Sequence, residues 1–401
     1  MRPILIMKSL VFVLLLLLSS CENELKEPLN YKENLSEEVV KLKITSQLLS
    51  EIAIDENIVM EVKEGIETNL SYGLDEELRF KEVLQPQSSK ISIRSSNHQS
   101  KLANAIRDVF NNSTIQLRTS INGEDFSGEL EEFVCENNIQ IYWPYSENWN
   151  GKELPVIAYN PMSDDVTEIM AYRYHNESKG ISRLDSLVID EEYAMEHPVW
   201  IINKNEFDYD DIPDFKDGEI EKNGVIYVSK SLANPNDNKI KTETRAASSV
   251  FLLGTITARE QHDSWVNGGS EFDFVWAYIV PNSYTQCDQK RIRKCISRSD
   301  IKKGRTHSIN LPLNVNWTEP QLTNGLMVTE TDNCVRTGNM EWYCYLELYK
   351  DNKQSRVFNC FYYGKCDELI HTGVYWRSNV TSRYYNQKHA NKGVSWTMYM
   401  Q

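Results

Sequence analysis

The hydrophobic period changes near Phe133, and this change constrains the fold more than any other feature of the chain. Before it, Val39, Val40, Leu42, Ile44, Leu48, Leu49, Ile52 and Ile54 recur at near-helical spacing. The same holds for Ile58, Val59, Val62, Ile66 and Leu70, and for the short stripe Leu102, Ile106, Val109 and Phe110. After it, short apolar runs alternate with Asn, Gly and Pro, which is the pattern of antiparallel strands. Runs at 139–143, 154–159, 168–174, 186–189, 198–202 and 224–228 predict a small β domain. Eight further runs between Val250 and Met400 predict a β-sandwich. The expected class is α+β multidomain: a helical region over 36–132, a small antiparallel β domain over 133–230, a linker over 231–247 and an all-β sandwich over 248–401.

The first 20 residues stand outside that fold. Arg2 and Lys8 precede an apolar stretch, Leu10 to Leu18, which ends in Ser19-Ser20-Cys21. The run is shorter than the ~20 residues of a spanning helix. Its layout is that of a lipoprotein signal, cut before Cys21, whose thiol takes the diacylglycerol. Acyl chains contribute about 0.8 kcal/mol per buried CH2, so a multiply acylated cysteine is a stable membrane anchor. Residues 21–35 then read as a polar tether. Glu rather than Asp follows the cysteine, which favours the outer membrane, on its periplasmic face or at the cell surface.

Export explains the remaining cysteines. Six of eight lie in the last third: Cys287, Cys295, Cys334, Cys344, Cys360 and Cys366. An even cluster in an oxidising compartment reads as disulfides, and sequential pairing is the simplest of the 15 connectivities. Cys135 is left over as a small buried apolar residue. Charge divides at the same place: residues 248–401 carry +4 and the rest −19. The acidic front half argues against nucleic acid, whose phosphates it would repel.

At Tyr142-Trp143-Pro144-Tyr145-Ser146-Glu147-Asn148-Trp149 the chain resembles a group of uncharacterised lipoproteins of the Bacteroidota. The likeness continues through Leu154–Tyr159, Pro198–Asn203 and Ala258–Phe272. It implies export and this order of domains, and it brings no activity with it.

The chain holds no HExxH, GxSxG, Walker loop or dinucleotide fingerprint. Four constellations remain. His262 and Asp263, with Glu260 and Glu271 near Gly268-Gly269, form a catalytic or metal site only if they converge on one atom; the alternative is a structural loop around a buried Trp265. Asp208, Asp210, Asp211, Asp214, Asp217 and Glu219 present the hard oxygens that Ca2+ requires, without EF-hand spacing; otherwise they are a solvated loop, and no cofactor is expected. The basic stretch Lys290, Arg291, Arg293, Lys294, Arg298, Lys302, Lys303 and Arg305 reads as an exposed loop or as a patch for anionic headgroups or glycans. Finally, Tyr375-Trp376-Arg377 and Tyr384-Tyr385-Asn386 have the ring faces and polar neighbours that stack on sugars, although core packing also consumes aromatics. These readings favour a binding module for a glycan or protein over a hydrolase centred on His262 and Asp263, or over a purely structural envelope component.

Overall fold

The computed structural model describes residues 35–72, 74–85, 100–112, 129–163, 166–177, 181–205, 219–222, 225–228, 250–280, 283, 285–315, 317–331, 339–380 and 386–400. Cys21, Cys334, Asp208 to Asp217, the 231–247 linker, Tyr384 and Tyr385 lie outside them. Residues 38–401 cluster as one unit.

Helices α1 (Glu37–Ile52) and α2 (Glu56–Tyr72) follow the predicted stripes, and α4 (Lys101–Asn112) the third. Residue by residue, α1 buries Val39, Val40, Leu42, Ile44, Leu48, Leu49 and Ile52, more than a single face supplies. The segment after α2 enters the first sheet as β1 (Glu77–Arg79), antiparallel to β2 (Ile139–Tyr142), and is followed by α3 (Phe80–Leu84). Helix α5 (Leu130–Glu136) leads into β2. A helical region that donates a strand cannot be a separate domain.

That first sheet adds β3 (Val156–Tyr159), β4 (Glu168–Glu177), β5 (Ile181–Asp190) and β6 (Val199–Lys204), in the order β1-β2-β6-β3-β4-β5. Strands β3 and β6 run parallel, so the sheet is mixed rather than purely antiparallel. Between β5 and β6, helix α6 (Glu191–Glu196) is capped by Asp190, whose side chain accepts from Tyr193 N at 2.9 Å.

The last third is three layers deep. The hairpin β7 (Glu219–Lys222) and β8 (Val225–Val228), expected in the small domain, belongs here. It joins β10 (Ser270–Ile279), β11 (Cys287–Ile296), β13 (Thr323–Glu330) and β16 (Glu368–Trp376) in a central sheet of order β16-β13-β10-β11-β8-β7. The second sheet pairs β9 (Phe251–Ala258), β12 (His307–Asn314), β17 (Asn386–Asn391) and β18 (Val394–Met400) in the order β12-β9-β18-β17. Phe272, Phe274 and Trp276 of β10 point into the core between these sheets. Their neighbours Val275, Ala277 and Ile279 point the other way, under the hairpin β14 (Asn339–Lys350) and β15 (Lys353–Gly364). This third layer lies so close that a Cβ on Gly325 would stand 3.2 Å from Cys344 Sγ and from the Phe361 ring. Two short helices, α7 (Arg298–Lys302) and α8 (Arg377–Val380), complete the stack.

Two expectations are overturned here. The basic stretch is not a loop: Lys290 to Lys294 lie in β11, inside the central sheet. Three of the side chains in that strand are spent within the protein. Arg293 makes a two-pronged pair with Asp273 at 2.7 Å, Lys290 donates to the Pro312 carbonyl at 2.6 Å, and Lys294 is fully buried. The sequential disulfides also fail. Cys287 and Cys295 stand at opposite ends of β11, about 26 Å apart at ~3.3 Å per residue, where a disulfide needs Cα atoms within ~7 Å. Cys344 is a buried free thiol, so it does not pair with Cys334, and Cys360 is free, so it does not pair with Cys366. No disulfide joins two described residues. Cys135 is buried and free as expected, its thiol pushed up to about 11, mainly by burial.

Candidate functional site

Loop 259–269, between β9 and β10, carries the constellation that the sequence singled out. Its tip enters the core of the first sheet, where Trp265 and Val266 pack with Tyr142, Val156 and Ile201. Asn203 Nδ2 donates to the Val266 carbonyl at 2.9 Å, and Asn160 Nδ2 to Asn267 Oδ1 at 2.8 Å. The two glycines then let the chain pass between β1 and β11. Gly268 has φ +156°, and a Cβ on Gly269 would stand 2.3 Å from the Ile296 carbonyl oxygen. Gly269 N donates to Asp75 Oδ2 at 2.6 Å.

Of the four polar residues whose convergence a site would require, two converge, and Trp265 is buried as the structural-loop alternative expected. Asp263 and Glu271 bring carboxylate oxygens within 4.8 Å of each other and of Glu330, the last residue of β13. Glu330 is 0% exposed and faces Phe272 across the ladder. Beside this triad lies a cavity of about 10 Å3, lined by Asp75, Glu77, Gln140, Asp263, Asn267, Gly268, Gly269 and Glu271. That is about the volume of one water-sized guest. Glu77 is 5% exposed; its Oε2 accepts from Asn205 Nδ2 at 2.8 Å, while its Oε1 has no hydrogen-bond partner. Burial, reinforced by the Asp75 charge, pushes the Glu77 carboxyl up to about 8.

His262 turns away. Its Nδ1 lies 2.6 Å from Glu368 Oε2, and its ring meets Phe272 edge-on at 5.6 Å. Burial alone would raise the Glu368 carboxyl, but Lys392 and His262 outweigh it and hold it below the usual range. Arg298 covers the loop from the other side, donating to the Asp263 carbonyl at 2.6 Å and to Glu191 Oε1 at 2.9 Å. Nearby, Glu147 receives Ser299, Lys303 and, at 3.0 Å, Arg305. These bonds overcome burial and hold its carboxyl at about 2.

The proposed sugar-stacking residues separate in the same way. Tyr375 packs on Trp276 at 5.7 Å with its hydroxyl 3.2 Å from His371 Nε2, and Arg377 Nε donates to the Trp317 carbonyl at 2.9 Å. Trp376 alone of the three stands out, 42% exposed. The larger aromatic surface is on the outer face of β14 and β15: Tyr343 (64% exposed), Tyr345, Tyr349, Phe358 (56%) and Tyr362. Tyr345 faces Phe358 across the ladder, with ring centres 5.8 Å apart, and Tyr343 lies 6.1 Å from the same ring. Charged and amide side chains are interleaved, with Glu341 opposite Tyr362 and Gln354 opposite Tyr349. Glu347 opposite Arg356 pairs with it at 3.3 Å.

Sequence reasoning found Asp263 and Glu271 and missed Glu330, Asp75 and Glu77. The run Leu74-Asp75-Glu76-Glu77-Leu78 did carry a signal, since three acids inside an apolar segment must be buried if that segment is. Glu330, at the end of an ordinary strand, carried none. No family model, no curated protein and no solved structure matches this chain.

Proposed function

We propose that this chain is a lipid-anchored binding protein of the outer membrane, held by acylated Cys21 and akin to the Bacteroidota lipoproteins that it resembles. Its ligand is a glycan, engaged by the outer face of β14 and β15. The observation that carries this reading is the row of exposed rings from Tyr343 to Tyr362 on a hairpin whose inner face is already buried. Tyrosine faces stack on pyranose rings, and Glu341, Glu347, Gln354 and Arg356 share that face, across the ladder from the rings or two residues along the strand, where they can bond the hydroxyls. That alternation of ring and polar group favours a glycan over a protein, which would seek a drier centre.

The hydrolase reading is weaker for a geometric reason. The cavity at Asp263 and Glu271, at about 10 Å3, admits an atom-sized guest and no substrate. A groove of about 470 Å3 on β4 and β5 is open, and its Arg183 and His175 both lean on Asp185, at 2.5 and 3.3 Å.

The test is a binding titration of the full chain against a panel of purified polysaccharides. The triple variant Tyr343→Ala/Tyr345→Ala/Phe358→Ala should bind at least tenfold more weakly, at about 1–3 kcal/mol per lost stacking contact by analogy with other planar ligands. Trp376→Ala should have the smaller effect. Unchanged affinity in the triple variant would remove the hairpin from the reading.

A further inference from the structure

The strand ends beneath loop 259–269 gather several carboxylates from distant parts of the chain. Asp75, Glu77, Asp263 and Glu271 line one cavity, and Glu330 adjoins it. Buried cations stand among them: Arg79 beside Glu77, Arg293 on Asp273, the fully buried Lys294, and Arg298, which serves the Gly268 and Asp263 carbonyls and Glu191.

Two features favour a cation. The oxygens of Asp263, Glu271 and Glu330 all lie within 4.8 Å of one another, and two ligands on opposite sides of a Ca2+ ion at ~2.4 Å each are about that far apart. Independently, Glu77 comes from a different sheet, is almost wholly buried, lines the same cavity, and carries an Oε1 with no hydrogen-bond partner among the described residues. We infer that Asp263, Glu271 and Glu330, supported by Glu77, form a calcium site that ties loop 259–269 to the ends of β10 and β13. The donor set specifies the ion. Its donors are carboxylate and amide oxygens, Asn267 and Gln140 among them, and a hard cation prefers these. A softer metal would want imidazole or thiolate, and His262 Nδ1 is engaged by Glu368.

The experiment uses the full chain, stripped with EDTA and dialysed, with thermal unfolding followed in the absence and presence of millimolar CaCl2. The midpoint should rise by several degrees with CaCl2, and less with MgCl2, which demands a tighter octahedron. In Glu271→Gln/Glu330→Gln the rise should vanish. If that variant does not fold, Asp263→Asn, which alters only a loop carboxylate, carries the same test. Asp210→Asn/Asp211→Asn, in the acidic run, should keep the response. The inference is overturned if CaCl2 leaves the midpoint unmoved, which would mean that protons and Lys294 neutralise the cluster. It is equally overturned if the response survives in Glu271→Gln/Glu330→Gln and disappears in Asp210→Asn/Asp211→Asn. A glycan-binding result in either direction leaves this outcome untouched.

Discussion

The two faces of the central sheet are covered differently. One face meets the sheet of β12-β9-β18-β17, and the aromatic rings there lock together: Phe251 lies 5.1 Å from Trp276 and 5.9 Å from Trp317, and Trp396 stands edge-on to Phe274 at 5.9 Å. Among the described residues, the other face meets the β14–β15 hairpin, which buries Cys344, Leu346, Leu348, Val357 and Phe361 and turns further rings to solvent. Both coverings draw on the same aromatic-rich stretch of sequence. Strand alternation decides which ring becomes core and which becomes surface.

The sharpest way to break the comparison is at Trp276, which is 0% exposed and touches Phe251, Trp317 and Tyr375. Trp276→Ala should cost roughly 3–5 kcal/mol, because the rings around it cannot collapse into the void. Chemical denaturation of the variant, with the midpoint shifted at unchanged slope, checks this.

A smaller effect is expected where the two sheets meet at their open edge. His371 on β16 and His389 on β17 approach to 6.2 Å, and His389 stacks on Trp396. Burial depresses both histidines below their ordinary value, and His371 further depresses His389. A depressed histidine leaves stability intact above its unfolded value, near 6.5, and costs stability as pH falls through the folded one. The thermal midpoint should therefore fall as the solution is acidified below about pH 6.5. In His371→Gln/His389→Gln that fall should be shallower. An equal fall in both proteins would show that the edge is held by other groups.

The same contrast explains what was legible beforehand. The runs from Phe251, Ser270, Thr323 and Val394 were found because β-branched and aromatic residues crowd them. Strand β11 was missed because Cys287-Asp288-Gln289-Lys290-Arg291-Ile292-Arg293-Lys294 reads as a solvated charge run. Asp273, 18 residues from Arg291 and 20 from Arg293 in the chain, makes both tolerable in this sheet. Glu330 was illegible for the same reason: its partners are assembled by topology and not by spacing. Asp263 and Glu271 were legible because the two glycines marked a close passage of the backbone, though their convergence depended on where β10 begins. The cysteines misled because a count of six carries no register, and register places Cys287 and Cys295 at the two ends of one strand.

The smallest expected effect on stability is also the one that best separates the faces. Tyr345 is half-exposed, and its contact is the cross-strand ring of Phe358. A cross-strand aromatic pair on a solvated face contributes about 0.2–1 kcal/mol, so Tyr343→Ala/Tyr345→Ala/Phe358→Ala should unfold within about 2 kcal/mol of the parent. Natural chains avoid leaving such rings in water unless something meets them, since an exposed apolar strand face invites aggregation. If the outer rings serve a ligand, their removal should therefore improve solubility at high concentration while leaving the unfolding transition almost in place. Sedimentation and denaturation of the same triple variant read both quantities. A loss of stability approaching that of Trp276→Ala would mean that the outer rings are structural, and the two faces of the hairpin would no longer differ in kind.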